Sequence, residues 1–230
     1  MRIHFIQNIS FETPAILETL AQQHSCPISI SHLYAGEKLP DHSDYDLLVI
    51  LGGPMNIYED DKYQWLTSEK NFIKQAISLR KKIFGICLGA QLLSDCLGGH
   101  VSKNEHKEIG WFPVKFEILE DVPLLNGIPS EFTAFLWHGD TFSIPPGARR
   151  IASSEACPNQ GFIYGDSIIG FQFHIETDFF AVKRLLENCS EDITDGKYVH
   201  STESILASGD LFYRQIYCIM ERLFENIIKQ

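Results

Sequence analysis

One cysteine of this chain stands where a thiol can act as a nucleophile. Cys87 lies between two glycines in the sequence GICLG at residues 85–89, after an apolar run and before a helical pattern. A strand, a sharp turn and a helix in this order are typical of a nucleophile elbow, which lifts a reactive side chain above the edge of a sheet. A helix N-terminus stabilises a thiolate by only about 0.3–1 kcal/mol, so the thiol also needs a nearby base. Without that base the pattern fits a buried structural cysteine equally well.

The sequence supplies a candidate base among its nine histidines. His174 ends the apolar run GFQFH, and Glu176 follows two residues later. Residues two apart in an extended chain point to the same side, so the Glu176 carboxylate can orient the ring and stabilise the imidazolium. The pattern predicts a triad of Cys87, His174 and Glu176. The alternative is a surface histidine beside an acidic loop, since Asp178 follows as well.

A glycine corner can supply hydrogen-bond donors for such a triad. The sequence LGGP at residues 51–54 ends a buried apolar run and exposes backbone N–H groups. We predict that the N–H groups of Gly53 and Leu88 form an oxyanion hole, which binds the negative oxygen of a tetrahedral intermediate. The alternative is a tight loop that needs glycine only for its backbone angles.

A second histidine is a candidate for the wall of the pocket. His138 lies in the sequence FLWHGD, and a turn after an aromatic strand can line a cavity. The alternative is an ordinary turn in which the Asp140 side chain forms hydrogen bonds with nearby backbone groups. No second Cys or His stands at ligand spacing beside Cys87 or His174, so no metal site is expected. No GxxxxGK[ST] phosphate-binding loop occurs either.

The elements that position these residues follow a β-α-β order. We predict strands at residues 3–6, 28–33, 45–51 and 82–86, and helices at 14–22, 68–82 and 88–97, with Thr13 as a cap of the first helix. This order predicts an α/β fold with a mainly parallel central sheet and helices on both faces. Short strand-like runs fill residues 110–173. They are followed by a helix at 178–187, a polar loop at 190–204 and a long amphipathic helix at 211–228.

Composition excludes several classes of partner. The chain has 230 residues, is 44% hydrophobic and carries a net charge of −11, so we expect neither a nucleic acid nor an anionic membrane as partner.

The six cysteines form no CxxC pair and no signal-like or membrane-spanning run is present, which predicts reduced thiols in a cytoplasmic protein. Apart from Cys87, we expect the cysteines, including Cys96, to be small buried core residues.

Three motifs together resemble a known family. LGGP at 51–54, GICLGAQ at 85–91 and FQFHIE at 171–176, in this order and spacing, resemble the class I glutamine amidotransferases. The glutaminase domain of GMP synthase and its free-standing relatives are especially similar. The resemblance implies a flavodoxin-like amidotransferase domain over residues 1–189. Residues 190–230 are then a C-terminal extension whose helix packs on the same domain.

The resemblance also implies an activity and a site. It assigns catalysis to Cys87, His174 and Glu176 and places Gln91, Gly52 and His138 at the substrate. The implied reaction is hydrolysis of the side-chain amide of L-glutamine through a glutamyl thioester, without a cofactor. Because the motifs take up most of the chain, we expect the acceptor of the ammonia, a synthetase partner, to be a separate chain.

Two other functions fit parts of this pattern. A γ-glutamyl peptidase or hydrolase uses the same triad on a γ-glutamyl compound, and differs only in the group on the γ-carbonyl nitrogen. A non-catalytic or redox-sensing thiol protein of similar α/β fold is the third hypothesis. The pair of His174 and Glu176 argues against it, because a redox sensor needs no such base.

Overall fold

A computed structural model describes residues 1–117 and 121–229 of the chain. Its nine strands are β1 (Ile3–Gln7), β2 (Ile28–His32), β3 (Leu47–Ile50), β4 (Lys82–Ile86), β5 (Val101–Phe116), β6 (Glu131–Phe142), β7 (Ala148–Ser153), β8 (Gly161–Tyr164) and β9 (Ile168–Phe171). Its helices are α1 (Ile16–Gln23), α2 (Trp65–Ser78), α3 (Leu88–Cys96), α4 (Phe179–Asn188) and α5 (Thr202–Lys229). Residues 118 and 119, which belong to one predicted strand-like run, lie outside the described residues, as does residue 230 of the predicted extension.

The strands form one mixed sheet in the order β2-β1-β3-β4-β9-β8-β7-β5-β6. The first five of these strands are parallel, and the remaining pairs are antiparallel. The predicted fold class is therefore confirmed, with an antiparallel extension at one side. The difference between the halves follows from their connections. Parallel neighbours need long crossovers, whereas β7, β8 and β9 follow one another through short loops.

Helices cover both faces of the parallel half. In β3, Leu47 and Val49 point to the face covered by α1, α4 and α5, whereas Leu48 and Ile50 point to the face covered by α2 and α3. All four residues are buried because both faces are covered, which explains why these strands appear in the sequence as continuous apolar runs. The carboxyl ends of the parallel strands thus meet at one edge, where α/β proteins bind their ligands.

The first helix begins later than predicted, and its predicted cap has another role. α1 starts at Ile16, and Ala15 before it adopts φ 46° without a side-chain cap. Thr13 does not cap the helix. Its hydroxyl oxygen instead accepts a hydrogen bond from Arg184 Nη2 at 2.8 Å. A tertiary contact therefore replaces the local cap that the sequence suggested.

The C-terminal helix is longer than predicted. α5 begins at Thr202 rather than at residue 211, although its first turns contain Ser, Gly and Asp. Ile205 is fully buried, and Trp111 Nε1 donates to its carbonyl oxygen at 3.0 Å. This packing outweighs the weak helix propensity of the segment. α5 contacts α1 and α4 as well as β5 and β6, so it spans the parallel and antiparallel halves.

Two of the expected core cysteines lie elsewhere. Cys96 is only partly buried, and Cys218 is exposed on α5, whereas Cys26, Cys157 and Cys189 are buried as predicted. Cys96 ends α3 with its Sγ 3.6 Å from the Lys70 carbonyl oxygen of α2, and Cys218 lies on the exposed side of α5. Within the described residues, no helix is long and apolar enough to cross a bilayer.

Candidate active site

A sharp turn between β4 and α3 carries Cys87. The residue adopts φ 50° and ψ −108°, a conformation that costs a non-glycine residue about 1–3 kcal/mol. The flanking glycines allow the turn to pack closely against the backbone of β3 and of the first turn of α3. A Cβ atom on Gly89 would lie 2.1 Å from the Ile50 carbonyl oxygen, and one on Gly85 would lie 2.6 Å from the Gly89 carbonyl oxygen. The turn therefore has the geometry of a nucleophile elbow.

The structure brings His174 and Glu176 together beside Cys87. His174 Nδ1 lies 2.7 Å from Glu176 Oε1, and both side chains are buried. The segment after β9 is held in place by a hydrogen bond from the His174 N–H to the Phe135 carbonyl oxygen at 2.8 Å. Burial favours the neutral ring, but the Glu176 carboxylate and the hydrogen bond with Cys87 outweigh it and raise the pKa of His174 well above its usual value.

Two further groups surround the sulfur atom. Gln172 Nε2 lies 3.6 Å from Cys87 Sγ, and the Trp137 carbonyl oxygen lies 3.7 Å from it. Gln91 Nε2 donates to Gln172 Oε1 at 3.1 Å, so the predicted substrate residue also supports the cysteine environment. Sequence reasoning missed Gln172. This residue precedes His174 by two positions, and the same two-residue spacing that identified Glu176 could have indicated it.

The predicted oxyanion donors lie on the loop after β3 and at the first residue of α3. A Cβ atom on Gly53 would lie 2.4 Å from Met55 Sδ and 3.0 Å from Leu88 Cδ2, so the glycine corner contacts the start of α3. Among the described residues, neither the Gly53 nor the Leu88 N–H donates a hydrogen bond to the protein. Neither N–H is therefore occupied by a protein acceptor in the described part of the chain, and Gly53 lines a cavity.

A cavity of about 280 Å³ connects these groups. Cys87, His174, Gly53, Gln91 and His138 all line it, whereas Gly52 is buried behind its surface. Glu176 and Leu88 do not line the cavity either: Glu176 is hydrogen-bonded to His174, and Leu88 follows Cys87 in the chain. No group of three or more metal-binding side chains is found within residues 1–117 and 121–229.

His138 belongs to a buried polar network. Its Nδ1 donates to the Asp140 carbonyl oxygen at 2.9 Å, and its Nε2 lies 3.0 Å from Glu108 Oε2. Glu108 also accepts hydrogen bonds from Ser154 at 2.6 Å and from Gln160 at 2.7 Å. Both ring nitrogens are thus engaged by protein atoms, and His138 forms a fixed wall of the cavity rather than offering a free nitrogen to substrate.

The structure adds a charged residue that the sequence did not indicate. Glu12, in the loop after β1, lines the cavity beside His174. Burial raises its pKa to about 7; the His174 charge lowers this pKa and the Glu176 charge raises it. The only available signal was general, because the loop follows the carboxyl end of a parallel strand.

Comparison with known proteins places this fold and site in a family. A family model described as glutamine amidotransferase class-I matches residues 13–189. The chain is 34% identical over 221 residues to the glutamine amidotransferase-like protein YfeJ of Salmonella typhimurium, a match that covers 94% of this chain and 92% of that protein. The chain belongs to the class I glutamine amidotransferase family.

Two other relatives agree with this assignment. One subunit of the glutamine-hydrolyzing GMP synthase from Methanococcus maripaludis is 32% identical over 142 residues, which are 61% of this chain and 69% of that one. The crystal structure of a glutamine amidotransferase from Thermotoga maritima matches 100% of this chain and 99% of its own with a TM-score of 0.91 at 29% identity. The resemblance predicted from the three motifs is therefore confirmed. Enzymes of this family hydrolyse the side-chain amide of glutamine with a cysteine nucleophile.

Proposed function

We propose that this chain hydrolyses the γ-amide of L-glutamine with Cys87 as nucleophile, His174 as general acid and base, and Glu176 as the residue that orients His174. One observation carries the proposal. Cys87, His174 and Gly53 line one cavity, Glu176 is hydrogen-bonded to His174 at 2.7 Å, and Leu88 directly follows Cys87 at the start of α3. This combination matches the geometric roles that acyl transfer requires.

The first half of the proposed reaction forms a thioester. His174 accepts the thiol proton, and Cys87 Sγ attacks the amide carbon. The oxygen of the tetrahedral intermediate becomes negative and accepts hydrogen bonds from the N–H groups of Gly53 and Leu88. The C–N bond then breaks, and the nitrogen leaves as ammonia with the proton from His174.

The second half releases glutamate. A water molecule gives a proton to His174 and attacks the thioester carbon, and the C–S bond breaks to restore the Cys87 thiol. Glu176 stabilises the imidazolium in both halves, which agrees with the raised pKa of His174. In this mechanism Gln91 and the buried Gly52 help to shape the glutamine site, and His138 forms its wall.

The fate of the nitrogen distinguishes two versions of this function. The similarity to a GMP synthase subunit supports ammonia delivery to a synthetase on another chain. The same triad also supports hydrolysis of γ-glutamyl peptides, because only the substituent on the leaving nitrogen changes. The buried His174–Glu176 pair favours either hydrolase over a redox-sensing thiol protein.

A release assay tests the proposal. Purified protein is given L-glutamine or a panel of γ-glutamyl peptides, and ammonia, free amine and glutamate are measured. We expect release that falls to the background rate in Cys87→Ala. Cys96→Ala is the matched control, since Cys96 lies outside the cavity and burial raises the pKa of its thiol to about 12. Undiminished release in Cys87→Ala would overturn the mechanism.

A further inference from the structure

Glu12 places a carboxylate in the cavity that the triad does not use. A Cβ atom on Gly52 would lie 2.0 Å from Glu12 Oε2 and 3.2 Å from His174 Cε1. The carboxylate and the imidazole ring therefore both lie beside the backbone of Gly52. Among the described residues, no donor forms a hydrogen bond with this partly buried carboxylate. It is therefore an ionisable carboxyl group beside the proposed acid–base residue, without a hydrogen-bond partner in the described part of the protein.

The loop that carries Glu12 is fixed on both sides. Arg184 Nε donates to the Phe11 carbonyl oxygen at 3.0 Å, and Arg184 Nη2 donates to the Thr13 hydroxyl at 2.8 Å. The Ile16 N–H donates to the backbone oxygen of Glu176 at 3.0 Å. The guanidinium thus binds neutral oxygens on either side of Glu12 and holds its loop against the triad.

Glu12 lies in the cavity lining on the side of His174 that carries Cε1. His174 Nδ1 is bound to Glu176, so the proton for the leaving nitrogen must come from Nε2. Cε1 is bonded to Nε2, and Cε1 and Glu12 Oε2 both lie within 3.2 Å of the position that a Cβ atom on Gly52 would take. A substituent on the leaving nitrogen therefore passes close to the carboxylate. The lysine that lines the cavity, Lys107, is already paired with Asp192 at 3.2 Å.

We propose that Glu12 is a specificity-determining residue, which favours γ-glutamyl substrates whose leaving amine carries a second, positively charged group. A diamine joined to the γ-carbonyl through one nitrogen would place its free ammonium beside the Glu12 carboxylate. A charge-assisted hydrogen bond there would supply the carboxylate with a partner from the ligand. This inference rests on the proposed function, because it concerns the same cavity and the same leaving nitrogen.

A matched pair of ligands tests this inference by binding. The 4-aminobutyl amide and the pentyl amide of γ-L-glutamate have similar length and differ in terminal charge. Calorimetry on the full chain with Cys87→Ala measures both dissociation constants without turnover. We expect tighter binding of the cationic amide. Adding Glu12→Gln should reduce the ratio of the two constants by about tenfold or more. Glu203→Gln, an exposed carboxyl on α5, should leave the ratio unchanged.

The outcomes separate this inference from the proposed function. An unchanged ratio in Glu12→Gln, or no binding of either amide, would overturn the role of Glu12. Equal weakening of both amides would also overturn it, since it would place Glu12 at the glutamyl part of the ligand. Hydrolysis is measured separately with the parent protein. A chain that prefers the cationic amide through Glu12 but releases no product would contradict the proposed function alone.

Discussion

The contact between His174 and Glu176 determines which nitrogen of the ring faces the sulfur. At 2.7 Å, Glu176 Oε1 accepts the Nδ1 proton, and this leaves Nε2 for Cys87 and the leaving group. Glu176→Gln removes the negative charge that raises the pKa of His174 and can donate to Nδ1, which favours the wrong tautomer.

We therefore expect Glu176→Gln to lower kcat by about 10²–10⁴-fold while the protein stays folded. Steady-state kinetics on L-glutamine or an accepted γ-glutamyl substrate measures the loss, and thermal unfolding checks the fold. A variant as fast as the parent would remove Glu176 from the proposed triad.

The charge of Glu12 depends on pH within the neutral range. Its pKa is raised to about 7, so the carboxyl is neutral below this pH and ionised above it. The charged or titratable groups around it are His174, Glu176, Cys189 and the Arg184 guanidinium that binds Phe11 and Thr13. We expect the preference for the cationic amide to increase from about pH 6 to about pH 8 in the Cys87→Ala protein and to stay flat with Glu12→Gln. A preference independent of pH in both proteins would contradict this titration.

Sequence patterns at the residue scale found the groups that depend on local geometry. Cys87 was predictable because a glycine-flanked turn motif surrounds it. His174 and Glu176 were predictable because residues two apart in an extended chain point to the same side. Glu12 was not, because its position beside His174 depends on Arg184, which is more than 170 residues away in the chain. Long-range contacts of this kind leave no local pattern in a single sequence.

The elbow is the element whose backbone packing limits substitution most strictly. Gly89→Ala would place a Cβ atom 2.1 Å from the backbone oxygen of Ile50, a contact that a side-chain movement cannot relieve. We expect this variant to lose about 1–3 kcal/mol of stability and most of its activity, because α3 must shift away from β3. Chemical denaturation and the release assay measure the two effects.

A glycine in an open loop provides the control. In Gly196→Ala the nearest atom to the new Cβ would be Val199 Cγ2 at 3.2 Å, in an exposed segment. We expect little change in stability or activity. Equal losses in both variants would show that the close packing of the elbow is not what limits Gly89.

Elements buried on both faces were the easiest to predict from sequence. β3 and β4 are continuous apolar runs, and their positions agree with the predictions to within two residues. The start of α5 could not be predicted in this way. Its first turns have low helix propensity and are stabilised by the buried Ile205 and by the bond from Trp111. The hydrophobic pattern therefore located the strands of the sheet, while tertiary packing determined how far the last helix extends.

At the scale of the whole molecule, a buried carboxyl group links stability to pH. Glu69 on α2 is fully buried, and its Oε1 accepts a hydrogen bond from Asn8 Nδ2 at 3.0 Å. Its Oε2 has no partner within the described part of the chain. Burial outweighs the bond from Asn8 and raises the pKa of Glu69 from 4.5 to about 7. Asn8 also packs against Gly53, so this group lies behind the proposed oxyanion loop.

The direction in which the free energy of unfolding changes with pH follows from where the Glu69 proton is bound. Between about pH 4.5 and 7 the folded state keeps the Glu69 proton and the unfolded state has lost it, so the free energy of unfolding falls as the pH rises through this window. The shift corresponds to about 3 kcal/mol over the whole window. Glu69→Gln keeps an acceptor for Asn8 and cannot ionise. Its stability relative to the parent should therefore rise by up to this amount from about pH 4.5 to about pH 8.

Chemical denaturation of both proteins across this range measures the difference directly. Contributions from other groups, such as the buried His4, whose pKa is lowered to about 4, are common to both proteins and cancel. Glu203→Gln removes an exposed carboxyl whose pKa is lowered by hydrogen bonds at the start of α5, so its difference from the parent should stay constant above its ordinary pKa of 4.5. A constant difference between Glu69→Gln and the parent would mean that Glu69 ionises in the folded protein as readily as in the unfolded chain. In that case a group near Oε2 must compensate its charge.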